Sequence, residues 1–368
     1  MKKLLAILCA MILALSVLTA CGGSGTSAPA DSDDAEATTA EAVEEVKEDD
    51  VVEDDADDDD DEDPMETGDF TKDDPLNQDD IGEKEILVVS FGTSFNDSRV
   101  ETIGGIEKAI AKANPDWAIR RAFTAQIVID HIAKYAKELS DKQKTELGLT
   151  DDELKAVTTI DDIDSALKRA VDNGVKELVV APTHLMAGNE YDELVKALDS
   201  YTNKFDKIEI SKPLLSSDED KEAVAKELIN LTKEYDDGET AIVFMGHGTD
   251  HKSNSVYTEM QDVIRDNGGD NYFVGVVHDG AKPDIDDVIA AVKEKGDYKK
   301  VVLRDMMVVA GDHANNDMSD PDDDDSWYSR FKAEGYDVET VIEGLGQVPA
   351  IQDIYVAHVK EAVDAVEK

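Results

Sequence analysis

The sequence is poor in cysteine, in aromatic residues and in basic charge, and each shortage removes a class of explanation. Its only two cysteines are Cys9 and Cys21. Past them there can be no disulfide, thiolate ligand or thiol nucleophile, so a metal site must use imidazole, carboxylate or amide groups. Lys and Arg number 37 against 86 Asp and Glu, a formal net charge of −49. That balance excludes nucleic acid as a partner, because the surface repels phosphate backbones, and it draws in small cations. No GxxxxGK[ST] loop, GxGxxG helix opening or GxSxG elbow occurs, which argues against ATP or other nucleotide-driven chemistry.

Long apolar runs are also scarce. One stands at the start, Leu4 to Leu18, after two lysines and before Leu18-Thr19-Ala20-Cys21 and a run of small residues. This is the layout of an export signal, and the cysteine at the cut makes residues 1–20 resemble a bacterial lipoprotein signal peptide. The run is shorter than the ~20 residues that cross a bilayer. The expected product is extracytoplasmic and lipid-anchored to the bacterial membrane through Cys21. Residues 21–83 follow as an acidic linker. Positions 31–80 alone hold 26 acidic and 2 basic residues, too little apolar surface to offset chain entropy, so a disordered, self-repelling stalk is expected.

From residue 84 onward short β-rich runs alternate with amphipathic segments of helical length, the pattern of an α/β fold with parallel sheets flanked by helices. Strands are predicted over Ile86–Ser90, Trp117–Phe123, Glu177–Ala181, Lys207–Ile210, Ala241–Met245, Phe273–Val277, Val301–Met307 and Asp337–Val341. Reading them in order exposes a repeat. "VVSFGTSF" and "VFMGHGTD" align Phe91-Gly92-Thr93 with His247-Gly248-Thr249, and "LMAGNEY" and "VVAGDHA" align Glu190 with His313. Two similar halves of four strands each follow, 84–235 and 236–368. The longer first half is accounted for by the polar insertion "KELSDKQKTELGLTDDEL".

In parallel α/β sheets ligands sit beyond the carboxyl ends of the strands. If the halves face each other across a cleft, Glu190, His247 and His313 all line it. One carboxylate and two imidazoles suit Co2+, Fe2+, Ni2+ or Zn2+, and they also accept protons near neutral pH. Taken alone, a strand-end histidine is as often structural as a ligand. Asp312, Asn315, Asn316 and Asp317 are candidates for orienting the His313 imidazole, or equally for capping a turn. His251 reads as a rim residue, His184 and His278 as candidates for the cleft, and His131 and His358 as packing or surface groups. "SDPDDDDSW" lacks the glycine and the last glutamate of an EF-hand and reads as a solvated loop.

"ILVVSFGTSF", "RAFTAQIVI", "VFMGHGTDH", "VVAGDHANNDM", "DSWYSRF" and "GLGQVPAIQDIYVAH" together resemble the anaerobic sirohydrochlorin cobaltochelatases of the CbiK type, class II tetrapyrrole chelatases. The resemblance runs from Glu85 to the C-terminus. It implies two four-stranded α/β halves enclosing a tetrapyrrole, with the last helix packed back on the first half. It implies ATP-independent insertion of Co2+, with Fe2+ as the alternative metal, into sirohydrochlorin or a related tetrapyrrole, as in anaerobic cobalamin biosynthesis. Glu190, His247 and His313 match the family's metal-binding residues and would be its catalytic groups. A tetrapyrrole and a divalent ion are the implied partners, and a homo-oligomer is compatible with the resemblance. The export signal and the stalk depart from the typical cytoplasmic relative. They leave open an extracytoplasmic lipoprotein that binds haem, another tetrapyrrole or a metal without catalysis.

Overall fold

The computed structural model describes residues 64–368. The expected signal peptide, Cys21 and the linker up to residue 63 lie outside the described residues.

Among the described residues eight strands form: β1 (Lys84–Ser90), β2 (Ala118–Phe123), β3 (Glu177–Pro182), β4 (Lys207–Ile210), β5 (Thr240–Gly246), β6 (Tyr272–Val276), β7 (Lys300–Asp305) and β8 (Asp337–Val341). They make two sheets, β2-β1-β3-β4 and β6-β5-β7-β8, with every pairing parallel. The same strand order occurs twice, which is the duplication legible in the sequence. Helices cover both faces, so the central strands read as nearly unbroken apolar runs; all seven residues of β5 are buried.

The helices of the first half are α1 (Asn96–Glu101), α2 (Ile103–Ala113), α3 (Gln126–Glu138), α4 (Asp141–Leu147), α5 (Asp151–Thr158), α6 (Ile163–Asp172), α7 (Asn189–Asp199) and α8 (Asp218–Thr232). Those of the second are α9 (Ser255–Asp266), α10 (Ile285–Lys295), α11 (Asp312–Asn315), α12 (Trp327–Ala333) and α13 (Pro349–Val366). One apolar cluster runs through both halves and includes Ile86 and Val88 of β1, Ile242 and Phe244 of β5, and Tyr355 and Val359 of α13. The last helix lies on α2, β3 and β4, and the Tyr355 hydroxyl donates to the Thr183 carbonyl at 2.7 Å.

Three stretches add to the sequence reading or depart from it. The amphipathic segment of helical length from Ser98 to Lys112 is two helices, broken at Thr102, whose hydroxyl bonds back to the Ser98 carbonyl at 2.6 Å while Gly344 and Gly346 approach it closely. The insertion Lys137–Leu154 carries two short helices, α4 and the start of α5, each begun by a capping box, Ser140 with Gln143 and Thr150 with Glu153.

The third stretch is the linker. It does not run disordered to residue 83, because Pro64–Glu66 and Phe70–Lys72 form 3-10 turns and Met65 and Phe70 are buried. The arm then follows β2, where the Leu76 carbonyl accepts from the Arg121 amide at 3.2 Å and Gln78 donates to the Ile119 carbonyl at 3.2 Å. Two apolar side chains and a sheet edge to cover outweigh the local acidity.

Candidate metal centre

β5 leads into the site. It ends on Gly246, where an added Cβ would stand 2.1 Å from Tyr257 Cε1, so only glycine fits. His247 follows, and Gly248 turns the chain away with φ +89, in the left-handed region. Its counterpart Gly92 has φ +109, so the two repeat-related loops share one backbone turn. The buried Tyr257 hydroxyl accepts from the Gly248 amide at 3.1 Å and braces the turn; burial pushes the phenol up to about 12.

His247 Nδ1 lies 2.7 Å from the Gly248 carbonyl oxygen, which can only accept, so Nδ1 carries the proton and Nε2 the lone pair. Burial lowers its pKa below the usual imidazole range, and the neighbouring His313 and His278 add to that; the Gly248 carbonyl and Glu190 work against it. His313 is half-buried, and its Nδ1 lies 2.7 Å from Asp317 Oδ2. The two rings stand 4.7 Å apart, centroid to centroid, with 63° between their planes.

Glu190 is the second residue of α7 and His313 the second of α11, each after a glycine N-cap, Gly188 and Gly311. The equivalence drawn from sequence is therefore one of position in space. The Glu190 carboxylate acts electrostatically on His247, His184 and Tyr257. Its Oε2 turns back toward Gly188, 3.4 Å from where a Cβ would stand there. Among the described residues the compact group of acid and imidazole atoms, all within 4.8 Å of one another, is Asp312, His313 and Asp317. The rings of His247 and His313 are thus brought together, with Glu190 in electrostatic reach but outside that tight cluster.

The other candidates sort clearly. His278 packs its ring 5.6 Å from that of His247, and its amide donates to the His247 carbonyl at 2.7 Å. Its Nε2 is 3.6 Å from the Asp250 carboxylate, so a third imidazole borders the centre. His251 is a rim residue, with Nδ1 2.9 Å from Ser253 Oγ and Nε2 3.7 Å from Asp192 of α7 in the other half. Both ring nitrogens of His184 are covered and have no hydrogen-bond partner, and burial drives its pKa down to about 4. His358 is buried between the Lys212 carbonyl and Asp220, each at 3.2 Å, as a packing residue. Of the four polar neighbours of His313, Asp317 bonds the ring, while Asn315 bonds the Gly311 carbonyl and Asn316 bonds Asp312. In "SDPDDDDSW" Asp320 is half-buried, while the aspartates at 322–325 lie exposed in turns.

Two features escaped the sequence reading. Phe91, at the position equivalent to His247, is 46% exposed, a large apolar side chain left open at a strand exit. Asp73, within the acidic tract, is buried against Arg99 and Arg121. Met65 and Phe70, apolar residues amid acid, were the available signal that this stretch folds.

Two parallel sheets of identical order, with imidazoles and a carboxylate at matching strand exits, define a duplicated α/β protein built around a candidate metal centre. The model of the cobalt chelatase (CbiK) family matches residues 84–364, and the chain belongs to that family. It is similar to a sirohydrochlorin cobaltochelatase of Salmonella typhimurium, 31% identical over 291 residues, covering 78% of this chain and 99% of that one. It is also similar to the sirohydrochlorin cobaltochelatase CbiKC of Nitratidesulfovibrio vulgaris, 27% identical over 287 residues, covering 77% and 92%. Among solved structures, SirB from Bacillus subtilis with Fe3+ aligns at 16% identity and TM-score 0.49, covering 78% of this chain and 98% of that one.

Proposed function

We propose that this protein inserts Co2+ into sirohydrochlorin or a closely related tetrapyrrole. His247, His313 and Glu190 hold the incoming ion, and the reaction uses no ATP. The observation that carries the assignment is the juxtaposition of His247 and His313, 4.7 Å apart at the exits of two adjacent strands, in a chain of the cobalt chelatase family.

Insertion of M2+ into a free-base macrocycle releases two pyrrole protons, so the site must supply ligands and a base together. His247 meets both needs, because its lowered pKa keeps the ring neutral and its Nδ1 bond leaves Nε2 as the basic nitrogen. Imidazole and carboxylate ligands follow the general affinity order, so Fe2+, Ni2+ and Zn2+ compete for the same groups. The test follows the tetrapyrrole absorption on adding Co2+. Multiple turnovers are expected from the wild type, with a loss of more than about a hundredfold in His247→Ala and His313→Ala. Unimpaired turnover in both variants would refute the residue assignment. A stoichiometric Soret shift with haem and no metallated product would instead identify a carrier.

The proposed location is outside the cytoplasm, with Cys21 lipidated and residues 21–63 as the stalk. The support is the order of charge, apolar run and small residues before Cys21. Cys21→Ser is expected to move the protein from the membrane fraction to the soluble one; an unchanged distribution would count against lipid anchoring.

A further inference from the structure

The arm that precedes β1 grips one helix, α1, at several points. The Thr67 hydroxyl accepts from the Asn96 amide at 2.8 Å, and a Cβ on Gly68 would stand 3.0 Å from Asp97 Cβ. Asp73 Oδ2 accepts from Arg99 Nε at 2.7 Å, and both its oxygens accept from Arg121 Nη1, at 2.9 and 2.8 Å. Arg121 is completed by two 2.7 Å bonds to Glu107 of α2. The four side chains are 1–4% exposed. Burial pushes the Asp73 carboxyl up, but the Arg121 and Arg99 guanidiniums hold it below the usual carboxylate range. Asp73 is the carboxylate these two buried cations share.

What Arg99 and its helix do next connects this cluster to the metal centre. Arg99 Nη1 donates to the Thr93 carbonyl at 2.9 Å and the Ser94 carbonyl at 3.3 Å, and Nη2 to the Asn96 side chain. Thr93 and Ser94 belong to the loop after β1, and Asn96 opens α1. That loop reaches across to the other half, where Thr93 Oγ1 lies 3.1 Å from the place a Cβ would occupy on Gly311. One residue before Arg99, Ser98 Oγ accepts from the Ala310 amide at 3.1 Å. Ala310 and Gly311 lead directly into α11, whose second residue is His313.

We propose that Asp73 is a positioning residue for the metal centre: by neutralising Arg99 and Arg121 it fixes α1, and through Ser98 and Thr93 it sets where Gly311 and His313 stand. The inference rests on the reading of His313 as a ligand. The carboxylate is supplied by the arm, before the residues that match the family begin.

The experiment compares Asp73→Asn and Ser98→Ala, at the two ends of this chain of contacts, with Asp161→Asn. Asp161 is a similarly buried carboxylate whose guanidinium partners are Arg120 of β2 and Arg169 of α6, away from α1 and α11. Three readouts are taken: thermal unfolding, the visible spectrum of the protein titrated with Co2+ alone, and kcat for cobalt insertion. Asp73→Asn and Ser98→Ala are each expected to weaken and shift the Co2+ spectrum and to lower kcat by about tenfold or more, since small displacements remote from chemistry are costly. Asp161→Asn is expected to lower the unfolding temperature while leaving spectrum and kcat within about twofold.

Wild-type spectrum and kcat in Asp73→Asn or Ser98→Ala would overturn the proposal, as would an equal loss in Asp161→Asn. If Asp73→Asn fails to fold, Ser98→Ala decides. His313→Ala separates the two readings. If it leaves the Co2+ spectrum and turnover intact, the assigned centre fails. If it abolishes both while Asp73→Asn and Ser98→Ala change neither, only the positioning role fails.

Discussion

His247 and His313 share one arrangement: in each ring Nδ1 is held 2.7 Å from an oxygen of the same chain segment, the Gly248 carbonyl in one and the Asp317 carboxylate in the other. In the neutral rings both protons therefore sit on Nδ1, and both Nε2 atoms are the basic ones. Two imidazoles so oriented at 4.7 Å have the arrangement that the proposed ion site requires.

The Asp317 bond should be measurable by itself. Asp317→Asn is expected to weaken Co2+ binding by about 10- to 100-fold, the usual effect of losing a carboxylate behind a ligating histidine. Titration with Co2+ in the absence of tetrapyrrole reads this directly. An unchanged affinity would mean that Asp317 serves only the turn after α11.

The lowered pKa of His247 fixes a direction for the pH dependence. Metal ligands must be deprotonated, so binding fails only as pH falls through the folded-state value, which burial places below the ordinary 6.5. Co2+ titrations between pH 5 and 7.5 should show binding lost with a midpoint below 6.5. A midpoint above 6.5 would contradict the burial argument.

A separate pH effect belongs to Glu85, at the start of β1 and remote from chemistry. Both its oxygens are covered without partners, and burial drives its pKa up to about 7, the Arg120 guanidinium opposing and Asp161 adding. A raised carboxyl favours the folded state while protonated, so that contribution is present below the unfolded value of 4.5 and is lost as pH rises through about 7. Urea unfolding from pH 5 to 8 should therefore show Glu85→Gln gaining on the wild type, by on the order of 2–3 kcal/mol. Parallel pH curves for the two proteins would rule this out.

Gly246 offers a steric test. In Gly246→Ala the new methyl meets the Tyr257 ring, and overpacking of this kind costs typically about 1–3 kcal/mol. Displacing Tyr257 also removes the bond to the Gly248 amide and with it the support of the His247 turn. Both a lower unfolding temperature and slower cobalt insertion are expected, and normal turnover would show that the brace is dispensable.

Much of this was legible before any coordinates. Each of the eight predicted runs became a strand; the central ones are apolar because parallel strands covered on both faces need uninterrupted apolar residues, while the edge strands β4 and β8 are only partly buried. The phrases around Glu190 and His313 gave their equivalence because both open a helix after a glycine cap. Less visible was whatever depended on contacts distant in sequence. The break at Thr102 lies where Gly344 and Gly346, far along the chain, approach it closely. The arm looked like stalk because its composition is acidic, and a carboxylate destined for two buried guanidiniums is indistinguishable in sequence from one that is solvated. The capping boxes at Ser140 and Thr150 were readable but were outweighed by the polarity of the residues between them.

The duplication has one outcome that the residue assignments do not state. The two halves offer different donors from the same station, a carboxylate from α7 and an imidazole from α11, so neither half alone can complete the set. Grip on the ion then depends on how the halves are held against each other. In the proposed site that relation is set by one shared core and one long terminal helix, which join the halves.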